Sequence, residues 1–425
     1  MSHPSFPSVQ LEKLNHLLSL VMEHNPFYRA KLARSGLALP LADLNRFSTL
    51  CPFTCKAELA GDQETHPPYG SNLSYPLDRY TRYHQTSGTS GQPIRWLDTN
   101  ESWRAMMDTW ERVYHAAGVD DRDRILFAFS FGPFLGFWTA FEAGTRMGCL
   151  CLPGGGMNTQ ARLKLIAQNR VSVLCCTPTY ALRLGEQAVA EKIPRDSVKT
   201  LIVAGEPGGG IAETRSRIAS LWPNAEVIDH HGMTEVGPVS TTYRGSPQRL
   251  HLMEDSFIAE IIDPKTGAAV APGLHGELVL TTLDRLGSPV IRYRTGDLVR
   301  RSLPEEVADG LTCYRLQGGI LGRIDDMVQV RGVNVYPGAL EGIVRRHEGI
   351  AEYRAVLQTV REMVELSMEI EPQAGLVDPD RLVEDLENEL QSTLALRVPV
   401  TLVEEGQLPR FEMKARRWHW MDATT

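Results

Sequence analysis

The stretch "VSVLCCTPTYALRLGEQAVAEKIPRDSVKTLIVAGE" (171–206) decides the fold. Its first six residues are apolar or small without polar alternation, the pattern of a strand buried on both faces. "YALRLGEQAVAEK" (180–192) is helical, and "VKTLIVAGE" (198–206) is a second apolar strand. Two buried strands joined by a helix form a βαβ unit, which pairs its strands in parallel.

The same rhythm extends in both directions. "RILFAFS" (124–130) and "CLCLPGG" (149–155) read as strands, with helices over 137–148 and 158–170. Downstream, the helix "ETRSRIASLWP" (213–223) leads into the strand "AEVIDHHG" (225–232). The first ~80 residues are helical and irregular, broken by Pro67, Pro68 and Pro76. From about 250 the strands shorten and turns intervene, as in "FIAEIID", "GELVLTT" and "VIRYRTGDLVRR". The last hundred residues alternate again, with helices starting at Pro337 and near Asp380. The expected fold is α/β: a large N-terminal domain (1–320) with covered, largely parallel sheets and a β-rich subdomain (about 245–320), then a small C-terminal α/β domain (324–425).

Composition narrows the function. The 425 residues are 42% hydrophobic and 23% charged, ordinary for a globular protein. The net charge of −8 and the lack of a long Lys/Arg run argue against a nucleic-acid partner. No segment has the ~18–20 uninterrupted apolar residues of a membrane span, and the N-terminus does not read as a secretory signal. Several of the seven cysteines sit in apolar runs, as reduced thiols do in a cytoplasmic protein.

The chemistry lies in loops. "HQTSGTSGQP" (84–93) is too small and polar for a strand or helix. By itself it is either a flexible surface loop or a cradle of hydroxyl and N–H groups for phosphate; the Walker A spacing is absent. "HHGMTEVGP" (230–238), "VAGEPGGG" (203–210) and "LPGGG" (152–156) fall at strand ends, where open α/β sheets bind ligands. Thr234 is suited to a phosphate oxygen and Glu235 to a hard cation such as Mg²⁺; a strand-to-helix turn capped by Thr234 fits the same residues. Asp297 in "YRTGDLVRR" can accept both hydroxyls of a ribose, Arg323 is a phosphate or ribose contact, and Asp325 stands where a hinge is needed. Both aspartates also fit ordinary turns.

Together, and from about residue 80 to the end of the chain, these segments resemble the adenylate-forming superfamily of acyl-CoA synthetases, carrier-domain adenylating enzymes and luciferases. "CPFTCKAEL", "HLMEDSFIAEIIDP" and "SPVIRYRTGDL" are most similar to the compact phenylacetate–CoA ligase branch. The resemblance implies that a carboxylate attacks the α-phosphate of MgATP to give an acyl-adenylate, from which coenzyme A displaces AMP. It implies that Thr86, Ser87, Gly88, Thr89, Ser90 and Gly91 hold ATP phosphates, so the loop is a cradle. Gly205, Glu206, Pro207, His230, His231, Gly232, Thr234, Asp297 and Arg323 complete the nucleotide site. Lys414 in "LPRFEMKARRW" matches the C-terminal catalytic lysine, and Thr234 and Glu235 join it in catalysis. A small domain carrying this lysine must move, about a hinge at Asp325.

Three positions depart from the family pattern. Gln92 replaces a common lysine, Met413 a common glycine, and His231 the aromatic residue that covers the adenine. The segment "FAFSFGPFLGFW" (127–138) matches the region that lines the acid pocket of aromatic-acid ligases. Phe131 and Phe134, with Gly154, Gly155, Ala204 and Gly232, are the expected pocket for an aryl or arylacetic acid. A carrier-protein thiol or an amine as acceptor, and a non-catalytic ATP/AMP-binding regulator, remain as alternatives. The compact branch also implies a homodimer.

Overall fold

The computed structural model describes residues 6–86, 93–302, 305–306, 312–313, 315–360, 363–411 and 415–421. An eight-stranded sheet forms the centre, in the order Leu150–Pro153, Arg124–Phe127, Val173–Cys176, Thr200–Val203, Glu226–Met233, Gly237–Tyr243, Ser246–Leu252, Arg315–Gln317. The first five strands are parallel. Their side chains divide by the two-residue period of a strand. Ile125, Phe127, Val173, Cys175, Ile202 and Ile228 enter one core, while Leu126, Leu174, Cys176, Leu201, Val203 and Val227 enter another. Both faces are therefore buried, which is why the strands read as unbroken apolar runs.

The crossover helices have local reasons to begin where they do. Asn158 and Thr177 cap Thr159–Asn169 and Pro178–Ala190 by accepting from the backbone N–H groups of Ala161 and Tyr180. Pro178 fits the first turn, where its missing N–H costs no bond. Cys51, Cys55, Cys149, Cys151, Cys175 and Cys176 are free thiols.

After Glu226–Met233 the chain departs from a strand-to-helix turn. It reverses through 234–236 into Gly237–Tyr243, with Met233 paired to Gly237. Gly237, at φ +90°, takes the left-handed conformation this reversal needs, and a Cβ on Gly232 would lie 2.8 Å from the Gly237 carbonyl oxygen. Ser246–Leu252 and Arg315–Gln317, inside the segment expected for the β-rich subdomain, pair into the large sheet instead. The smaller antiparallel sheet comprises Phe257–Ile262, His275–Thr282, Tyr293–Arg300 and Gly322–Arg323. Helices Phe6–His24 and Pro26–Leu32 cover it, burying Leu14, Leu17, Leu18 and Tyr28 against Ile258, Leu283 and Ile291.

Residues from Val330 to Val400 form a separate core around the strands Val400–Leu402, Met363–Pro372, Ile350–Val360 and Trp418–Trp420 and the helices Pro337–Arg346 and Pro379–Leu394. Among the described residues no helix is long and apolar enough to cross a membrane.

Candidate active site

The parallel strands end on one edge of the large sheet, and the expected loops gather there. Glu206, just beyond Thr200–Val203, accepts from the Thr179 N–H at 2.9 Å through one carboxylate oxygen. Its other oxygen accepts from the Ala415 N–H at 2.9 Å. The carboxylate thus joins the N-terminal turn of a large-sheet helix to the C-terminal segment. Lys414, the residue before Ala415, lies outside the described residues, as do Ser87, Gly88, Thr89, Ser90 and Gly91. Thr86, at the base of that loop, accepts from the Ile94 N–H with its hydroxyl and donates its own N–H to the Ile94 carbonyl. This pair closes the loop where Tyr80–Gln85 and Arg95–Thr99 meet as an antiparallel ribbon.

The segment bearing the lysine is held on either side by ion pairs of the small domain. Arg410 pairs with Glu371, and the buried Arg417 donates to Glu352 at 2.7 and 3.1 Å. Arg346 reaches back to Glu213 of the large domain at 3.2 Å.

The Thr234–Glu235 turn is anchored by residues that no sequence motif announces. Arg285 donates at 2.7 Å to the Thr234 carbonyl and makes two 2.7 Å bonds to Asp98; their side chains are 2% and 0% exposed. The partners lie 187 residues apart, so spacing gave no signal. Glu235 is buried and accepts from the Tyr293 hydroxyl at 3.4 Å. Among the described residues no group of three or more His, Cys, Asp or Glu could hold a metal. One buried carboxylate instead fits Mg²⁺ that keeps its water and is carried by substrate phosphates.

His231, expected over the adenine, is tied by Nε2 to Asp297 at 3.1 Å, while its buried Nδ1 has no partner among the described residues. Asp297, expected on the ribose, also accepts from Arg323 at 3.3 Å, and Arg323 makes two bonds to Asp325 at 2.7 and 3.0 Å. Ribose-site and hinge candidates thus form one chain. Gly296, at φ +76°, makes room for it, since a Cβ there would lie 2.7 Å from the Arg323 guanidinium.

His230 donates from Nδ1 to the Ser240 carbonyl at 2.9 Å. Burial lowers its pKa to about 3, with the neighbouring His231 adding to the effect. The imidazole is therefore neutral, with Nε2 as a bare acceptor. Its ring lies 4.3 Å from Trp110, centroid to centroid. Both line a cavity, as do Phe137, Thr139, Ala204, Gly205, Gly232 and Met233.

Of the expected acid pocket, Ala204 and Gly232 lie on this cavity, and Phe131, Phe134, Gly154 and Gly155 do not. Phe131 packs among Phe127, Phe129, Trp138 and Phe141, and a Cβ on Gly155 would lie 2.9 Å from its ring. The glycine opens room that the ring itself fills. Phe134 is partly exposed, and Gly154 donates its N–H to the Phe127 carbonyl. Phe137 and Thr139 line the cavity, because the chain coils into Gly136–Arg146 and turns those side chains inward.

The chain is similar to known proteins along nearly its whole length. The profile of AMP-binding enzymes matches residues 83–282, and that of the AMP-binding enzyme C-terminal domain matches 332–419. The phenylacetate–coenzyme A ligase of Pseudomonas putida is 32% identical, over 96% of this chain and 92% of its own. A crystal structure of 2-hydroxyisobutyryl-CoA ligase in the postadenylation state, with 2-HIB-AMP, superposes with a TM-score of 0.91 at 28% identity, covering 97% of this chain and 89% of that one. That ligase in the thioesterification state, with 2-HIB-AMP and CoA, gives 0.72 at 29% identity, over 97% and 89% of the two chains. Over the whole chain the TM-score is thus higher against the postadenylation structure than against the thioesterification one. The chain belongs to the AMP-binding enzyme family, among the AMP-forming acid–CoA ligases of the phenylacetate–coenzyme A ligase branch.

Proposed function

We propose that this protein activates an aryl or arylacetic acid, or a small acid of similar apolar bulk, and passes the acyl group to coenzyme A. The observation that carries this reading is the juxtaposition of the apolar cavity beside His230 with the Thr234–Glu235 turn and the docked segment next to Lys414. The acid carboxylate attacks the α-phosphate and pyrophosphate leaves; the thiol then attacks the acyl carbon and AMP leaves with its electron pair.

Neither step needs a protein nucleophile, and positioning and charge are what the chain supplies. Ser87 to Gly91 hold the outer phosphates with Thr86 fixing the loop base, Asp297 takes the ribose diol, and Glu235 provides a carboxylate to Mg²⁺. The metal, when bound, neutralises phosphate charge. Lys414 stabilises charge building between carboxylate and α-phosphate. Rotation near Asp325, which breaks the Glu206–Ala415 contact, then admits the thiol. A homodimer and a cytoplasmic location belong to the same proposal.

The test is pyrophosphate release with MgATP over benzoates, phenylacetates and short branched acids, with and without coenzyme A, for the wild type and Lys414→Ala. Sustained release over many turnovers that needs both an acid and coenzyme A, and that falls by 100-fold or more in Lys414→Ala, supports the reading. Acid-dependent release that ignores coenzyme A shifts the acceptor to a carrier-protein thiol or an amine. Unchanged turnover in Lys414→Ala removes the lysine from its role.

A further inference from the structure

The cavity beside His230 holds a polar pair whose partners the protein does not supply. Thr139 is fully buried in the helix Gly136–Arg146, lines the cavity, and its hydroxyl has no hydrogen-bond partner among the described residues. Threonines inside helices commonly bond the carbonyl four residues back, as Thr49 and Thr65 do here to Asn45 and Gly61 at 2.8 Å. Thr109 bonds the Ala105 carbonyl at 2.9 Å, and Thr145 the Phe141 carbonyl at 2.9 Å. Thr139 does not. His230 contributes the complementary lone pair: its Nδ1–H is spent on Ser240, and among the described residues the ring makes no other hydrogen bond. The remaining side chains include Leu135, Phe137 and Met233, which are apolar, and Trp110, which is apolar but for its indole N–H. An apolar wall with one hydroxyl and one bare acceptor is poorly matched to a plain hydrocarbon acid, which would leave both polar atoms dry and unpaired.

We propose that this cavity takes a carboxylic acid whose apolar body carries a hydroxyl group, donating to His230 Nε2 and accepting from the Thr139 hydroxyl. The inference rests on the acid-activating reading above and narrows its substrate class. A site built to bond a substrate hydroxyl rejects the analogue that lacks it far more strongly than a merely apolar pocket rejects a size variant.

The experiment uses the full chain with matched pairs: 4-hydroxyphenylacetate and phenylacetate, 3-hydroxybenzoate and benzoate, 2-hydroxyisobutyrate and isobutyrate. Each pair is compared by kcat/KM for pyrophosphate release and, independently of turnover, by calorimetric titration of the acid into the protein. In at least one pair the hydroxy acid should win by about 100-fold. Thr139→Val should collapse that ratio to within about 3-fold, and Thr139→Ser, which keeps the hydroxyl, should retain it. Ratios within about 3-fold for every wild-type pair, or favouring the deoxy acid, overturn the proposal, as does a ratio that survives Thr139→Val. Acids that bind with the expected preference but release no pyrophosphate leave the cavity chemistry standing and refute acid activation. Turnover of both members of every pair at equal rates does the reverse, and acids that neither bind nor turn over overturn both.

Discussion

Replacing Arg285 with methionine should be among the most damaging single changes outside the reacting groups. Arg285 and Asp98 have side chains 2% and 0% exposed and are joined by two 2.7 Å bonds, so methionine would leave a carboxylate in the interior without its counter-charge. Breaking a buried pair in this way costs about 3–5 kcal/mol. The third Arg285 bond, to the Thr234 carbonyl, is lost as well, adding roughly 1 kcal/mol and freeing the turn that carries Glu235. Asp98→Leu combined with Arg285→Met removes both charges together, and such apolar replacements are often close to neutral.

The assay is a double-mutant cycle read by urea unfolding, with pyrophosphate release measured on whichever variants fold. A coupling energy of about 2 kcal/mol or more is expected between the two positions. The double variant should regain most of its stability but little adenylation, because the Thr234 tether stays absent. Additive single effects, or a loss below about 1 kcal/mol for Arg285→Met, would mean that the pair is neither desolvated nor coupled. Full adenylation in a well-folded double variant would mean that the turn does not depend on Arg285.

Glu206→Gln keeps the shape of the side chain but weakens two charge-assisted bonds, one in each domain. Adenylation should fall about 5-fold further than thioester formation from supplied acyl-adenylate, and equal losses in both half-reactions would show that Glu206 does not favour one domain arrangement. Burial raises the Asp229 pKa to about 7, against the opposing pull of His231 and Arg215. Its folded state therefore holds a proton more tightly than its unfolded state, so this residue lowers stability as pH rises from about 4 to about 7. Asp229→Asn should stabilise the protein at pH 8 by about 1 kcal/mol or more and much less at pH 5; a gain independent of pH would place the effect elsewhere.

The order of strands and helices, the covered parallel sheet and the loops at its edge were legible in the sequence, because each rests on a local pattern. Apolar runs such as 171–176 and 198–203 record burial on both faces, and the helical stretch 180–192 lies between them. That Glu206, His231, Asp297 and Arg323 stand in or beside strands was legible for the same reason, as short strings next to apolar runs. The hairpin after Met233 was not, since a turn of three residues leads as readily to a helix until Gly237 commits its backbone.

The aromatic run shows the limit most clearly. Six aromatic residues over 127–138 look alike along the chain, and only the winding of Gly136–Arg146 turns Phe137 and Thr139 toward the cavity while Phe131 packs into the core. Likewise, nothing in "WLDT" or "LDRLG" ties Asp98 to Arg285. A buried charge is tolerable only where its partner arrives, and that meeting across 187 residues is made by the packing of two sheets. Local sequence determined which elements form and which loops carry chemistry; the tertiary structure decided which side chains share a cavity, because direction and desolvation are properties of packing and have no fixed spacing in the chain.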